Sequence, residues 1–296
     1  MKSCKTSSKK TGLRSRVSLT LLIGWWLAVL SVLGVAALGY GADRTSVRVD
    51  SFALPAEPEK FYFRKLEHIP FGVGEEFQYT VRYGVIKAGS ASMRVEELTE
   101  RQGRPCLHVV SEVKTSRFFS AFFKVRDRVE SWIDAEGIYP WEFRKKLREG
   151  GYRAALHAVY DHRRGLAYVD GDTVKIPPFV QDVLSVFYFI RTQPLRLGGS
   201  VDFYSHDNKK VFPLEARVVR EERVKTGAGT FDTYLVIPQM RKTRDGAGLF
   251  RPKGEMWIWF SKDPSHIPVL IKSKLNFGSL TLELKKIRRS ERLVER

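Results

Sequence analysis

The stretch EFQYTVRY, residues Glu76–Tyr83, decides the fold class of this chain. Its aromatic and aliphatic side chains stand at every second position, with Gln78, Thr80 and Arg82 between them. Successive side chains of a β-strand point to opposite faces of a sheet. The alternation therefore predicts a strand with one face in a core and one face in water.

The same period of two recurs through most of the chain that follows. Val125–Ile133 alternates in this way, and Asp170-Gly171 is a strong signal for a two-residue hairpin turn. Further turn signals stand at Asp207-Asn208, Thr226–Gly229 and Asn276–Gly278. Roughly a dozen short strands with regular turns predict a mainly β fold: an antiparallel, strongly curved sheet or partial barrel with one or two short helices.

Two segments break the period and are predicted as the helices. Phe179–Arg191 carries apolar residues at spacings of three, four and seven, after Pro177-Pro178 and before Pro194. Ser116–Lys124 is the second, and it holds the four phenylalanines Phe118, Phe119, Phe122 and Phe123. We expect these rings to pack in the core. If they are exposed, they would form a lip for lipid or a membrane contact.

The amino-terminal segment has the pattern of an export signal. The uncharged, largely apolar run Ser18–Leu38 could reach about 31 Å as a helix, enough to cross a bilayer core. Cleavage after Ala37 or Gly41 and retention as a signal anchor both fit this length. In either case the chain after it is expected to be exported, in the periplasm or anchored to the inner membrane. Six basic residues precede the run: Lys2, Lys5, Lys9, Lys10, Arg14 and Arg16.

These signals divide the chain into four parts. Residues 1–42 are the export signal or anchor, 43–71 a linker or packed arm, 72–287 the antiparallel β domain, and 288–296 a basic tail. No internal repeat or linker divides the β domain.

The net charge of +18, from 51 Lys and Arg against 33 Asp and Glu, is uneven. Without the six basic residues of the export signal it falls to +12, and eight of those charges lie after residue 240. An exported protein rarely meets nucleic acid, so no nucleic acid partner is expected. The expected neighbours are lipid or other anionic envelope components, and the membrane itself if the signal is uncleaved. A solvated surface without a dedicated partner explains the charge equally well.

Several short stretches, in order, resemble a bacterial exported family known as domain of unknown function 3108. The resemblance covers about residues 72–287 and implies an envelope-located, mostly antiparallel β domain curved into a partial barrel. The family has no established activity to carry over. The matching stretches are Gly74–Phe77 with Gly89–Ala91, Val125–Asp127 with Ser131–Asp134, Gln181–Ser185 with Phe187–Arg191, Gly227–Phe231 with Tyr234, Trp257–Ser261, Pro268-Val269 and Gly278-Ser279.

Residues with catalytic or metal-binding chemistry are sparse. None of the six histidines stands at a metal-ligand spacing, so neither a metal nor another cofactor is predicted. Cys106 and His108 share a strand face and could form a thiol and base, but a buried, inert cysteine is the expected state. No serine lies in a nucleophile elbow. These features favour a protein that is not an enzyme.

The strongest polar constellation lies on the helix predicted over 179–191. At helical spacing, the side chains that share one face are Gln181, Ser185 and Tyr188. Arg191 lies near that face, and Asp182 is displaced from it by one position around the helix. Together these groups could bind a polar head group while the apolar stripe closes a cavity. Alternatively, the helix plugs one end of the curved sheet, with Asp182 favourable in its first turn and Arg191 in its last.

Arg126 and Asp127 form the second candidate ligand site. The strand period sends Arg126 and Arg128 to one face and Asp127 to the other. A buried Asp127 needs a partner, for which Arg191 is the candidate, so a structural ion pair is expected before a catalytic role.

The expected function is a noncatalytic, periplasm-facing binding or structural domain that holds a lipid-like or other apolar ligand against the sheet. The alternative is an envelope hydrolase whose site is assembled from separate strands. A third hypothesis is a purely structural partner in an envelope assembly.

Overall fold

The computed structural model describes residues 61–207, 209–241, 256–274 and 278–290. In these ranges fourteen strands form a single antiparallel sheet. The strands are β1 (Glu76–Tyr83), β2 (Ile86–Arg101), β3 (Arg104–Thr115), β4 (Arg126–Asp134), β5 (Pro140–Glu149), β6 (Tyr152–Asp161), β7 (Leu166–Val169), β8 (Asp172–Lys175), β9 (Ser200–Asp207), β10 (Lys210–Thr226), β11 (Gly229–Met240), β12 (Met256–Ser261), β13 (Pro268–Lys274) and β14 (Ser279–Arg288).

Almost every strand pairs with its neighbour in the chain. The spatial order is β8-β7-β6-β5-β4-β3-β2-β1-β14-β13-β12-β11-β10-β9, so β8 and β9 are the two edges. Tight turns make this order possible: Asp170 (φ 48°) and Gly171 (φ 89°) join β7 to β8, with the positive φ values that favoured two-residue hairpin turns require. The predicted antiparallel, curved and unclosed sheet is confirmed.

The alternation of β1 is realised as predicted. Phe77, Tyr79 and Val81 are buried, and they contribute to one core cluster that draws on nearly every strand. Strand β1 pairs with β14 on one side and β2 on the other, with register shifts after Gln78 and after Val81. Such bulges increase the local twist, which helps a long sheet to curl around its core.

The two edges of the sheet approach each other without pairing. Tyr160 of β6 places its hydroxyl 3.1 Å from Nδ1 of His206 on β9. Lys145 Nζ lies 3.2 Å from Oδ1 of Asp207, and Lys209 forms an ion pair with Asp172. The chain that connects β8 to β9 fills this seam and forms a short parallel bridge between Gln181 and Ser205.

Within the described ranges the helices are α1 (Arg117–Ser120) and α2 (Ser185–Arg191). The prediction of a helix beginning at Phe179 is wrong, because Phe179 has a positive φ of 57° and Gln181 is engaged in the bridge to β9. The helix begins at Ser185, four residues after Gln181 has made its bridge to β9. All seven residues of α2 are buried.

The expectation that the four phenylalanines pack in the core is wrong, because none of them belongs to a core cluster. Phe118 is 70% exposed and Phe122 69% exposed, while Phe119 and Phe123 are half-buried. A four-residue helix that projects from the end of the sheet cannot turn all of its rings inward.

The termini are only partly described. Residues 1–60, which include the predicted export signal and most of the predicted linker, lie outside the described residues, as do residues 291–296 of the predicted tail. The described part of the arm lies against the barrel end, where Arg64 Nε donates to the carbonyl oxygen of Gly137 at 2.7 Å. Within the described ranges, no helix has the length and apolar character needed to cross a bilayer.

Candidate functional site

Arg191, the last residue of α2, is fixed in the core by a bidentate ion pair with Glu75. The two guanidinium nitrogens lie 2.6 and 2.8 Å from the carboxylate oxygens, and Nε donates to the Ser265 carbonyl at 3.0 Å. The rings of Phe71 and Phe77 lie against the guanidinium plane. A buried charge needs a partner of this kind, so Arg191 holds α2 against β1 and the loop before β13.

Asp182 organises the start of α2. Its Oδ1 accepts hydrogen bonds from the backbone N–H groups of Leu184 and Ser185, both at 2.7 Å. Ser185 reciprocates, since its hydroxyl accepts from the Asp182 N–H at 2.9 Å. This exchange resembles a capping box. The Ser131 hydroxyl donates to Oδ2 at 2.6 Å and so ties the cap to β4.

Burial changes the titration of Asp182. Complete removal from water raises its pKa to about 6, and the hydrogen bonds from Ser131, Ser185 and Leu184 oppose that rise. These bonds favour the ionised form, whereas desolvation favours the neutral form. A raised pKa of this kind is common among functional groups. Here, however, the group with the raised pKa is the carboxylate that caps α2.

Gln181 and Tyr188 complete the constellation predicted on this helix. Gln181 Nε2 donates to the carbonyl oxygens of Ile138 and Phe179 at 3.1 and 3.0 Å. The Tyr188 hydroxyl is buried and has no hydrogen-bond partner among the described residues. Burial raises the pKa of Tyr188 well above its usual value, so the phenol stays neutral. The structure brings all five residues to α2 and its entry, with most of their polar groups bonded within the chain.

Arg126 and Asp127 do not join this constellation. Arg126 is exposed and donates to the carbonyl oxygens of Val125 and Thr115, while Asp127 is buried and accepts from the Arg148 N–H at 2.8 Å. The opposite-face prediction for these two neighbours is confirmed. The predicted pairing of Asp127 with Arg191 is wrong, because Arg191 is taken by Glu75.

Asp127 instead shares a buried site with a second carboxyl group, that of Glu149. Desolvation raises the pKa of both groups, and the neighbouring Asp127 charge adds to the rise for Glu149, whose pKa reaches about 8. Two buried carboxyls this close cannot both ionise without cost. The pair therefore holds at least one proton near neutral pH.

Sequence reasoning missed Glu75, Ser131 and Glu149. A signal existed for Glu75: the period of two places it on the inward face, together with Phe77 and Tyr79. An inward acid at a strand start calls for a buried cation. No local signal marks Ser131 or Glu149 as partners, since those contacts join residues that are distant in sequence.

An apolar cleft lies beside α2. Its side chains pack so closely that this closed arrangement has no room for even a water molecule, whereas sites for drug-sized ligands typically hold about 300–1,000 Å³. The lining residues are all apolar: Val186, Phe187, Ile190, Phe203, Ala216, Val236, Pro238 and Ile258.

Groups with nucleophilic or acid–base chemistry lie elsewhere. Cys106 is buried, and desolvation raises the pKa of its thiol to about 12, which makes it a poor nucleophile. His108 stacks on Trp132 with ring centroids 4.4 Å apart. His157 Nε2 lies 2.9 Å from a Glu142 oxygen, but neither residue lines the cleft. In the described part of the chain, no cluster of His, Cys, Asp and Glu could hold a metal ion.

A comparison with protein-family models matches residues 78–285 to the family described as "Protein of unknown function (DUF3108)". The chain belongs to this family. The match spans most of the sheet, from β1 to β14, and so includes α2 and the cleft. A search of curated proteins found no match.

Solved structures of several bacterial proteins are similar to this member of the family. A β-barrel-like protein of domain of unknown function DUF1849 from Brucella abortus has a TM-score of 0.50 at 9% identity, covering 75% of this chain and 99% of that chain. A putative exported protein with a YmcC-like fold from Bacteroides fragilis has a TM-score of 0.30 at 15% identity, covering 76% and 100%. A putative lipoprotein from Parabacteroides distasonis has a TM-score of 0.31 at 11% identity, covering 75% and 99%. The first of these supports the β-barrel-like fold.

Proposed function

We propose that this protein is a noncatalytic cell-envelope domain that faces the periplasm and holds an apolar, lipid-like group in the cleft beside α2. The observation that carries the proposal is the lining of that cleft, which consists of apolar side chains alone. Burial of an alkyl chain against such a surface is favourable by about 25 cal/mol per Å² of apolar area. The export pattern of residues 1–42 supports the location.

The closed cleft cannot hold the ligand, because it has no room for even a water molecule. Entry of an acyl chain therefore requires α2 to move away from β10–β12. The Arg191–Glu75 pair and the Ser131–Asp182 hydrogen bond tie α2 to the rest of the fold through side chains, and the bridge to β9 lies before the helix at Gln181, so such a movement would break few backbone hydrogen bonds.

The polar residues of α2 then act as supports of the plug, and a head group would meet them only when α2 is displaced. In that state Gln181, Asp182, Ser185, Tyr188 and Arg191 could offer the amide, carboxyl, hydroxyl and guanidinium groups that a polar head needs. In the closed position of α2 these residues hold the helix in the end of the sheet, and in the open position they bind the head group, so the helix has both of the predicted roles.

The test is native mass spectrometry with lipid extraction of the purified full chain. We expect a copurifying apolar ligand, which Ala216→Phe removes because the new ring fills the cleft. Ala155→Phe is the matched control, since Ala155 is exposed on β6 and far from the lining. Circular dichroism checks that both variants fold.

A second variant keeps the test informative if Ala216→Phe fails to fold. Phe187→Ala enlarges the cleft by removing a lining ring, so the retained ligand should become longer or bind more tightly. Absence of any ligand from wild type, or equal ligand in wild type, Ala216→Phe and Phe187→Ala, would contradict the proposal.

A further inference from the structure

Three chain connections meet at one end of the sheet. They are the β1–β2 turn, the β3–β4 connection that contains α1, and the β5–β6 turn. The Ser116 N–H donates to the Ala88 carbonyl at 2.9 Å, and the Gly150 N–H donates to the Lys124 carbonyl at 2.8 Å. A bridge between Val125 and Glu149 adds a further link. The three connections therefore form one continuous surface, which we call the basic-aromatic rim and define as residues 83–90, 114–127 and 147–154.

The rim exposes large apolar side chains. Val85 is 90% exposed, and Phe118 and Phe122 are each about 70% exposed. The two phenylalanine rings contact each other edge to face, with centroids 5.5 Å apart. Ile86 and Tyr152 are also exposed, so the rim holds five of the eleven large hydrophobic residues that are exposed in the described part of the chain. Such concentration on a projecting end points to an apolar partner.

The half-buried rings of Phe119 and Phe123 anchor the loop that carries the exposed Phe118 and Phe122. Phe123 lies over Gly150, so closely that a Cβ there would stand 2.6 Å from its ring. The Ser116 hydroxyl accepts from the Phe119 N–H at 3.3 Å and begins α1. These contacts support the loop that presents Phe118 and Phe122 to solvent.

The exposed charge on the rim has one sign. Its exposed charged residues are all basic: Lys87, Lys114, Arg117, Lys124, Arg126, Arg148 and Arg153. Its acids are Asp127 and Glu149, which are both buried. Burial and the neighbouring Asp127 raise the pKa of Glu149 to about 8, so this carboxyl offsets little of the positive charge near neutral pH.

We infer that the basic-aromatic rim docks on the surface of an anionic lipid bilayer. Aromatic and aliphatic side chains that project from a positively charged surface suit the boundary between acyl chains and phosphates. Lys and Arg place their heads among the phosphates while their methylene stems stay in the apolar layer. A protein partner would need acidic residues arranged around an apolar patch to match the basic residues of the rim, whereas a bilayer presents phosphates over its whole surface. This surface is separate from the cleft beside α2 and does not depend on a ligand there.

The experiment measures hydrogen exchange of the full chain with and without vesicles of phosphatidylcholine and phosphatidylglycerol in a 3:1 ratio. We expect the rim amides to be protected by vesicles and the amides at the opposite end of the sheet to be unchanged. Phe118→Ser with Phe122→Ser should abolish this protection. Residues 1–42 are identical in all variants, so their own membrane affinity cannot produce a difference between them.

The matched control is Leu98→Ser with Leu197→Ser, which removes two exposed apolar side chains that lie outside the rim. This control should keep the full protection. If the control loses protection as the Phe118/Phe122 variant does, or if both variants keep it, the inference is overturned.

A second arm tests the charge. Arg117→Gln with Lys124→Gln should lower the docking equilibrium constant, derived from the protection ratio, by about thirtyfold, since each basic residue near an anionic surface contributes roughly fivefold. Vesicles of phosphatidylcholine alone should protect the wild-type rim far less. Rim protection that appears without lipid and rises with protein concentration would overturn the inference and identify a second copy of the chain as the occupant.

Discussion

The Glu75–Arg191 pair shows how one contact can position an element. The side chains of both residues are almost completely buried, and the guanidinium also lies among aromatic rings. Two ions pay a desolvation penalty on burial, and good geometry only compensates for it. The pair therefore contributes position and specificity more than net stability.

Loss of one partner is expected to be costly. Glu75→Gln leaves the Arg191 charge buried and uncompensated, so we expect the free energy of unfolding to fall by about 3–5 kcal/mol. Glu283→Gln is the control, because it removes the partner of Arg82 from a partly exposed pair and should cost about 1 kcal/mol or less. Urea unfolding measures both. Equal losses in the two variants would contradict this account of the buried pair.

The Asp127–Glu149 pair makes stability depend on pH. The pKa of Glu149 is raised from 4.5 in the unfolded chain to about 8 in the fold. The folded state therefore holds a proton that the unfolded state loses. The stability from this group is fully present below pH 4.5 and is lost as the pH rises through about 8.

We expect Glu149→Gln to remove the decline in unfolding free energy between pH 6 and 8. Asp182, with its pKa raised from 3.8 to about 6, causes a separate decline at lower pH that this variant keeps. Glu97→Gln is the control, because the Glu97 side chain is 64% exposed. Urea unfolding at several pH values gives the comparison. A slope between pH 6 and 8 that persists in Glu149→Gln would show that other groups cause it.

At the scale of elements, α2 is defined by its cap rather than by helix propensity. A seven-residue helix in which the five consecutive residues from Val186 to Ile190 are aromatic or β-branched is not stable alone. The bonds of Asp182 to Leu184 and Ser185 satisfy N–H groups that would otherwise be buried without partners. Burial of every residue of the helix then supplies the remaining stability.

We expect Asp182→Ala to destabilise the protein by about 2 kcal/mol, the upper end of the cap range, because the freed N–H groups stay buried. Hydrogen exchange should accelerate at 184–189 before other regions. The control is Ser116→Ala, which removes the cap of α1, where the bond is 3.3 Å long and the helix is outside the core; it should cost less than 1 kcal/mol. Uniform acceleration over the whole sheet would contradict a local role for the cap.

The elements also show how far sequence patterns reach. Strand β1 begins and ends within one residue of the alternation that predicts it, because a period of two is local. The pattern over 179–191 predicts a helix that is six residues too long at its start. Apolar spacing does not register that Gln181 bonds to β9, which is a neighbour only in space.

At the scale of the molecule, the sheet is curled but not closed, and one core joins its two halves. The seam between β9 and the other end of the sheet depends on side-chain contacts from β6 and β5, such as Tyr160–His206 and Lys145–Asp207. The same core cluster includes residues of β6 and β9 on either side of that seam. The two halves of the meander are therefore expected to unfold together.

We expect urea unfolding of the full chain to give one transition, with the same midpoint by far-ultraviolet circular dichroism and by tryptophan fluorescence. The two probes report different places, since Trp141 lies in a small separate cluster and Trp259 in the main core. Tyr160→Phe should lower the free energy of unfolding by about 1 kcal/mol, which moves the common midpoint to lower urea without splitting the transition. Two separate midpoints would show that the edge hairpins unfold independently.

The sequence by itself determined the fold class, the inward faces of the strands and the hairpin turns, because each depends on neighbours within a few residues. It also identified the residues of the α2 constellation as a group. Only the tertiary structure decided that Glu75, rather than Asp127, is the partner of Arg191, where α2 begins, and which phenylalanines face water. Those outcomes depend on which distant strands meet when the sheet curls, and a local pattern contains no information about that encounter.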